Sequence, residues 1–457
     1  MAKSAVRDLT QGKPMKLILG FMLPLLFGLL FQQFYNMVDT IIVGQFLGIN
    51  DLAGVGSTGS VNFLVMGFVI GVCAGFAIPV AQKFGSKDFD ALKKFVGNTI
   101  WIAAAFAAVL TTATCLLCSN ILEWMNTPEN VFTPARDYIF VIFLGIPVTF
   151  LYNILSGFIR SLGDSKTPVY FLIGSSLLNV ALDVFMIVVL QMGVAGAAWA
   201  TVISQLVSGI LCLIFIIKRF ELLHISRDDL KFRPYYIGRL CAVGLPMGLQ
   251  YSITAIGTIL LQAAVNGLGS VAIAAVTAGN KVGQFMCCPF DAMGSTMATF
   301  GGQNVGAGKL DRLKRGLFDC ILLGVGWSLI ALVIAFFFGG NLSAMFINTN
   351  DAETAENAAE IIRLSQQFLI YNALFYIPLA LVNIVRFMIQ GMGSSQIALY
   401  AGVFELVARG VVAICFVPTF GYDAVCFANP AAWVLADCFL IPAFFACFKI
   451  VKRKMMQ

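Results

Sequence analysis

LILGFMLPLLFGLLFQQFYNMVDTIIVGQF, residues 17–46, decides the fold: thirty consecutive residues carry a single charged side chain, Asp39. As a helix this stretch is about 45 Å long, more than the roughly 30 Å hydrocarbon core of a bilayer. No water-soluble surface accommodates such a segment, so it reads as a membrane span. The carboxylate inside it is the anomaly, because a charge at membrane depth is costly unless paired, hydrated or neutralised.

The rest of the chain follows the same pattern. Of 457 residues, 59% are hydrophobic and 11% charged, and the mean hydropathy is +0.89. Apolar runs long enough to span a bilayer lie at 15–44, 52–82, 95–118, 135–158, 168–190, 194–217, 236–266, 272–302, 314–338, 358–388, 396–417 and 424–448. Pro24, Pro147, Pro246, Pro289, Pro378 and Pro442 fall inside these runs, as helices supported by neighbouring helices permit. The short alternating strands of a β-barrel are missing from the pattern. The expected fold is an all-α integral membrane protein with twelve transmembrane helices.

Basic residues set the orientation, since Lys and Arg in short loops stay on the cytoplasmic side. With both termini cytoplasmic, 24 of the 29 Lys and Arg residues fall in or beside cytoplasmic segments, including Lys83 to Lys94, Lys218 to Arg239 and Lys449 to Lys454. The opposite loops carry Glu123, Glu129, Asp351, Glu353 and Glu356. The net charge of +6 therefore reports topology, and its dispersal over separate loops excludes a nucleic-acid surface. An inner or plasma membrane location follows, with no cleavable signal evident.

Other chemistries find little support. Nearly all twelve cysteines sit in apolar runs as small hydrophobes, the C-x-x-C of Cys115 and Cys118 included. The sole histidine, His224, lies in a charged linker, and neither H-E-x-x-H nor G-x-S-x-G occurs. The sequence reads as neither an enzyme nor a cofactor-dependent protein.

The halves repeat one another. At an offset of 221, Gln82, Gly85, Asp90, Leu92 and Lys93 match Gln303, Gly306, Asp311, Leu313 and Lys314; at 230, Asn153, Ile159, Gly163, Ser165 and Tyr170 match Asn383, Ile389, Gly393, Ser395 and Tyr400. Six spans per repeat place both copies in the same orientation. The expectation is two parallel six-helix lobes, 1–217 and 236–457, joined by a cytoplasmic linker, 218–235, and related by a pseudo-two-fold along the membrane normal. Such an architecture suggests alternating access about a midplane site.

The symmetry breaks at the acids. Asp39 corresponds to Leu260 and Asp183 to Ala413, so the first lobe alone owns these carboxylates. Asn179 lies one turn before Asp183 on the same face, and Asn153 and Thr201 lie on flanking spans. Two carboxylates among amide and hydroxyl oxygens can share a proton, because desolvation and mutual repulsion disfavour two ionised groups. They can equally hold a hard cation such as sodium. The second lobe offers Lys281, Asp291, Arg386, Glu405, Arg409 and Asp437 inside its spans. Glu405 and Arg409, spaced i, i+4, suggest a neutralising pair. Asp291, Glu405 and Arg409 are the candidates for a second site.

Three groups of residues carry a family resemblance. Leu23-Pro24 followed by QQFYNMVD at 32–39, GFIRSLGDSKTP at 157–168, and NVALD at 179–183 with GVAGAAWATVISQ at 193–205 resemble segments of the multidrug and toxic compound extrusion (MATE) family. The resemblance covers nearly the whole chain. It implies export of drugs and other organic cations by a monomer in a lipid membrane, driven by protons or sodium. It also implies that Asp39, Asn153, Asn179, Asp183 and Thr201 bind the coupling ion, that Pro24 marks a bend in the first helix, and that Gln32, with Tyr35 and Asn36, lines the substrate cavity. A branch with its acid on the seventh span is not matched, since Pro246 to Gly257 contains Thr254 and no acid. The rival is a lipid-linked oligosaccharide flippase of the same superfamily, which intramembrane Lys281, Arg386 and Arg409 would suit.

Overall fold

A computed structural model describes residues 7–125, 127–347 and 356–456. Asp351 and Glu353, read above as outer-loop acids, lie outside them. Every regular element among the described residues is a helix, with no strand. In chain order the helices are α1 (Pro14–Phe46), α2 (Ile49–Ser57), α3 (Gly59–Gly85), α4 (Phe89–Leu116), α5 (Cys118–Trp124), α6 (Glu129–Leu144), α7 (Ile146–Ser161), α8 (Lys166–Val184) and α9 (Gly193–Arg219). They continue as α10 (Pro234–Asn266), α11 (Ser270–Gly306), α12 (Leu310–Ala344), α13 (Ala358–Leu374), α14 (Tyr376–Gly391), α15 (Ser395–Val411), α16 (Val417–Phe420) and α17 (Tyr422–Met456).

Among the described residues ten helices are long and apolar enough to cross a membrane, and counting each of the bent pairs α6–α7 and α13–α14 as one span brings the number to twelve. The all-α membrane fold expected from the apolar runs is the fold observed. The run at 52–82 is interrupted, however, because the chain breaks at Thr58 between α2 and α3.

Irregularities repeat with the sequence. The α6–α7 pair bends by 47° and the α13–α14 pair by 53°. Pro147 and Pro378 sit within the first turn after each break, where a missing N–H and a ring clash stop a straight helix. A π-helical turn follows α8 at Phe185–Val189, and another follows α15 at Val412–Phe416. Local sequence duplicated in the gene thus yields duplicated defects in the helices.

Close contacts divide the chain into two compact units. The first comprises Met1–Gln11, Leu23–Ser252 and Gly302–Gly308; the second comprises Gly12–Met22, Ile253–Gly301 and Lys309–Gln457. In the first, α9 packs against α6, α7 and α8, and α3 packs against α4 and α7. In the second, α17 packs against α13, α14 and α15, and α12 against α13 and α14. The core of the first unit includes Phe76, Phe143, Phe150, Ile159 and Leu162, all essentially inaccessible.

Glycines set the tightest approaches. A Cβ on Gly75 of α3 would stand 2.5 Å from Gly244 Cα of α10, a backbone-to-backbone crossing of the kind small residues permit between membrane helices. Within the first unit the end of α11 also crosses the end of α3. There a Cβ on Gly85 would lie 2.0 Å from the Gln303 carbonyl oxygen, and one on Gly306 would lie 1.8 Å from that of Gln82. Gln82 with Gly85, and Gln303 with Gly306, are repeat-equivalent pairs, so the duplicated motif packs on its own copy. The Gln303 side chain secures the region, accepting from Leu9 N at 2.9 Å and donating to the Ser161 carbonyl at 2.8 Å.

The linker between α9 and α10 is fastened to α4. Asn98 donates from Nδ2 to the Lys231 carbonyl at 3.3 Å and accepts at Oδ1 from Arg233 N at 2.9 Å, while Trp101 Nε1 donates to the Leu230 carbonyl at 2.7 Å. Asp88 caps α4, accepting from Ala91 N at 3.1 Å. Its hydrogen bond with Lys83 Nζ at 2.7 Å holds the carboxyl below the usual carboxylate range. All twelve cysteines are free.

Candidate functional site

Three helices of the first unit assemble the oxygens singled out in the sequence. α1 carries Gln32, Tyr35, Asn36 and Asp39, α8 carries Asn179 and Asp183, and α9 carries Thr201. Asp183 and Asn179 are 0% and 1% exposed, and Asp39 is half-buried. The Asp39 and Asp183 carboxyls are close enough to act on one another electrostatically. Thr201 Oγ1 accepts from Asn179 Nδ2 at 3.3 Å and donates to the Ala197 carbonyl at 3.1 Å. With that single proton committed, the Tyr35 hydroxyl, 3.5 Å away, is the donor toward Thr201.

The donor count around the acids is deficient. Asp39 Oδ1, Asn179 Oδ1 and both oxygens of Asp183 are buried without a hydrogen-bond donor. Ionised carboxylates only accept, so two of them facing one another have nothing to exchange. One proton between them supplies the missing donor. A small hard cation drawing on the same oxygens meets the same need. Among the described residues no group of three His, Cys, Asp or Glu side chains could hold a metal ion, so a transition metal is not what this donor set favours.

Tyr138 of α6 completes the surroundings and was not anticipated. Its ring is half-buried, and its hydroxyl is within electrostatic range of Asp39, Tyr35 and Asp183. A tyrosine in an apolar run is ordinary, so nothing in the sequence marks it.

Other candidates stand apart. Asn153 of α7 donates to the Thr149 carbonyl at 2.9 Å, and Thr149 Oγ1 donates to Gln205 Oε1 at 2.9 Å. No hydrogen bond among the described residues joins Asn153 to the acids. Gln32 and Asn36 are exposed on α1. Pro24 lies within α1 fifteen residues before Asp39, about 22 Å along the helix.

In the second unit the expected pair is a larger cluster. Arg409 Nη2 lies 3.4 Å from Glu405 Oε2, as the i, i+4 spacing suggested. The closer partner of Glu405 is Arg386 on α14. Arg409 Nε also donates to Asn429 Oδ1 on α17 at 3.1 Å. Arg386, Glu405, Arg409 and Asp437 are all buried. Asp437 is an electrostatic neighbour of Arg386 and Glu405. Asp291, by contrast, is exposed on α11 and shares no hydrogen bond or ion pair with this cluster, so the structure does not assemble Asp291, Glu405 and Arg409 into one site.

The profile of the MatE family matches residues 24–185 and again 246–415, once in each repeat. The chain is 29% identical over 360 residues to "Probable multidrug resistance protein YoeA" of Bacillus subtilis, covering 77% of this chain and 78% of that protein. It is 23% identical over 335 residues to the "FAD transporter" of Shewanella oneidensis, covering 72% and 74%. Among solved structures it superposes on the "Outward-facing conformation of a multidrug resistance MATE family transporter of the MOP superfamily" with a TM-score of 0.90 at 20% identity, over 99% of both chains, a likeness that speaks for the fold. With matched segments covering most of its length and repeating its internal duplication, the chain belongs to the MatE family, the multidrug and toxic compound extrusion family its motifs resemble.

Proposed function

We propose that this protein is a proton- or sodium-coupled antiporter that exports drugs and other organic cations by alternating access. In this reading it works in the plasma membrane with both termini cytoplasmic and two six-helix lobes, 1–217 and 236–457, on either side of the 218–235 linker. Asp39 and Asp183 bind the coupling cation, with Asn179 and Thr201 fixing their surroundings and Asn153 contributing from α7. Tyr35 and Tyr138 border the acids.

The observation that carries this reading is the group of buried oxygens on Asp39, Asn179 and Asp183 that lack any donor. Such a group is costly at membrane depth unless a positive charge enters. Binding of an external cation offsets that cost, and its departure restores it, so occupancy biases the first unit between two states. Bending of α1 near Pro24 is the proposed consequence, reshaping the cavity along Gln32, Tyr35 and Asn36 to release substrate outward. Similarity to a multidrug resistance protein favours drugs as cargo. For the flippase alternative, buried Arg386 and Arg409 are engaged by Glu405 and so offer little to an anionic head group.

Transport of a fluorescent cationic dye in proteoliposomes, with proton and sodium gradients imposed one at a time, tests the proposal. Movement driven by one gradient is expected. Indifference to both gradients would overturn it.

A further inference from the structure

α11 is amphipathic in the wrong sense for a lipid-facing helix. Val282, Met286, Phe290 and Met297 are buried on one face. The other face presents Thr277, Asn280, Lys281, Gln284 and Asp291, all exposed, with Ser295 half-exposed. Their spacing of three, four or seven residues keeps them on one stripe. Asp291 lies fifteen residues from the nearer end of the helix, about 22 Å along it. A carboxylate and four other polar side chains cannot face hydrocarbon at that depth, so the stripe faces water.

Asp291 is the only carboxylate on the stripe, and no hydrogen bond or ion pair engages it among the described residues. Lys281, the only other charged residue of the stripe, sits ten residues away, about 15 Å along the axis. Its Nζ is placed 5.9 Å from the centre of the Phe346 ring. The two side chains are therefore too far apart to neutralise each other, and Asp291 stands as the one exposed acid of the stripe. This contrasts with Asp183, which is fully buried, and with Asp39, which is half-buried beside it.

We propose that Asp291 is the ionic anchor for the organic cation carried by this protein, with the α11 stripe as the wall along which the substrate lies. Division of labour follows: the sheltered pair in the first unit holds the small coupling cation, and the solvent-accessible acid in the second unit selects for positive charge in the cargo. This inference rests on the antiporter reading above and adds the residue that recognises the substrate.

The test is binding of tetraphenylphosphonium and of uncharged triphenylphosphine oxide to purified full-length protein, for the parent, Asp291→Asn and Asp291→Glu. Asp291→Asn is expected to raise the Kd for the phosphonium about tenfold and to leave the oxide unchanged. Asp291→Glu should recover most of the loss, which a general packing defect would not. Equal phosphonium affinity in the parent and Asp291→Asn, with both proteins folded and binding the oxide alike, overturns the assignment of Asp291. Failure of the parent to move any dye under either gradient would instead overturn the antiporter reading, so the two failures are separable.

Discussion

Replacing Gly306 by Ala should disrupt the crossing of α11 over α3. The added Cβ would stand 1.8 Å from the Gln82 carbonyl oxygen and 2.7 Å from its carbonyl carbon. Cβ atoms essentially never approach below 3.0 Å, so the two backbones must part by about 1.2 Å to reach even that limit. The obstacle is backbone, and no rotamer change relieves it. Overpacking of this kind costs about 1–3 kcal/mol. Separation also strains the two buried hydrogen bonds of Gln303, each contributing about 1 kcal/mol. The expected destabilisation is about 3 kcal/mol, rising to about 5 kcal/mol if both bonds are lost. Thermal unfolding in detergent, followed with a thiol-reactive fluorophore, reports it through buried Cys73 and Cys212 of the same unit. Gly85→Ala should behave similarly, because its Cβ meets the Gln303 carbonyl at 2.0 Å. Gly174→Ala is the control, since nothing lies within 4 Å of its Cβ and alanine is the better helix former. Melting of Gly306→Ala at the same temperature as Gly174→Ala would refute the reasoning.

Two further outcomes follow from the structure. Glu405→Gln removes the carboxylate paired with both buried Arg386 and Arg409, leaving Asp437 as the acid near Arg386, and should destabilise the protein by about 3–5 kcal/mol, measured by the same thermal assay; a change too small to resolve would mean Asp437 compensates the guanidiniums. The Asp88 cap is depressed by Lys83, so its contribution is present above the unfolded carboxylate range near pH 4 and is lost as the pH falls through its lowered folded value. Hydrogen exchange at the Ala91 amide should accordingly stay slow at neutral pH and gain relative to neighbouring amides only in acid, while unchanged relative protection down to pH 2 would remove Asp88 from that role.

Much of the fold was legible because apolar length is a strong signal. Residues 17–46 could only be a span, and the proline-containing runs at 135–158 and 358–388 were located even though each proves to be two helices. The interruption at Thr58 was not legible, since Thr within a run of Gly, Val and Ser alters neither hydropathy nor period. The acids of the site were visible because a carboxylate in an apolar run is an anomaly, and Asn179 followed from its position one turn away. Tyr138 and Asn98 were hidden, because a tyrosine near a span end and an asparagine beside a basic loop are commonplace until their partners are known. The pairing of Arg386 was hidden for a similar reason. Its partner Glu405 lies on another helix, whereas the i, i+4 rule found only Arg409. The repeat was legible residue by residue, but the contact of Gln82 and Gly85 with Gln303 and Gly306 required coordinates.

The claim that Asp39 and Asp183 hold the coupling cation is tested most directly by ion release on substrate binding. Purified parent, Asp39→Asn and Asp183→Asn would be mixed with saturating cationic dye in weakly buffered detergent solution, with proton release followed by a pH indicator and sodium release by radioactive tracer. The account predicts that the parent releases one of the two ions as dye binds, and that either variant binds dye without releasing it. Undiminished release from both variants would contradict the account and place the coupling site elsewhere in the chain.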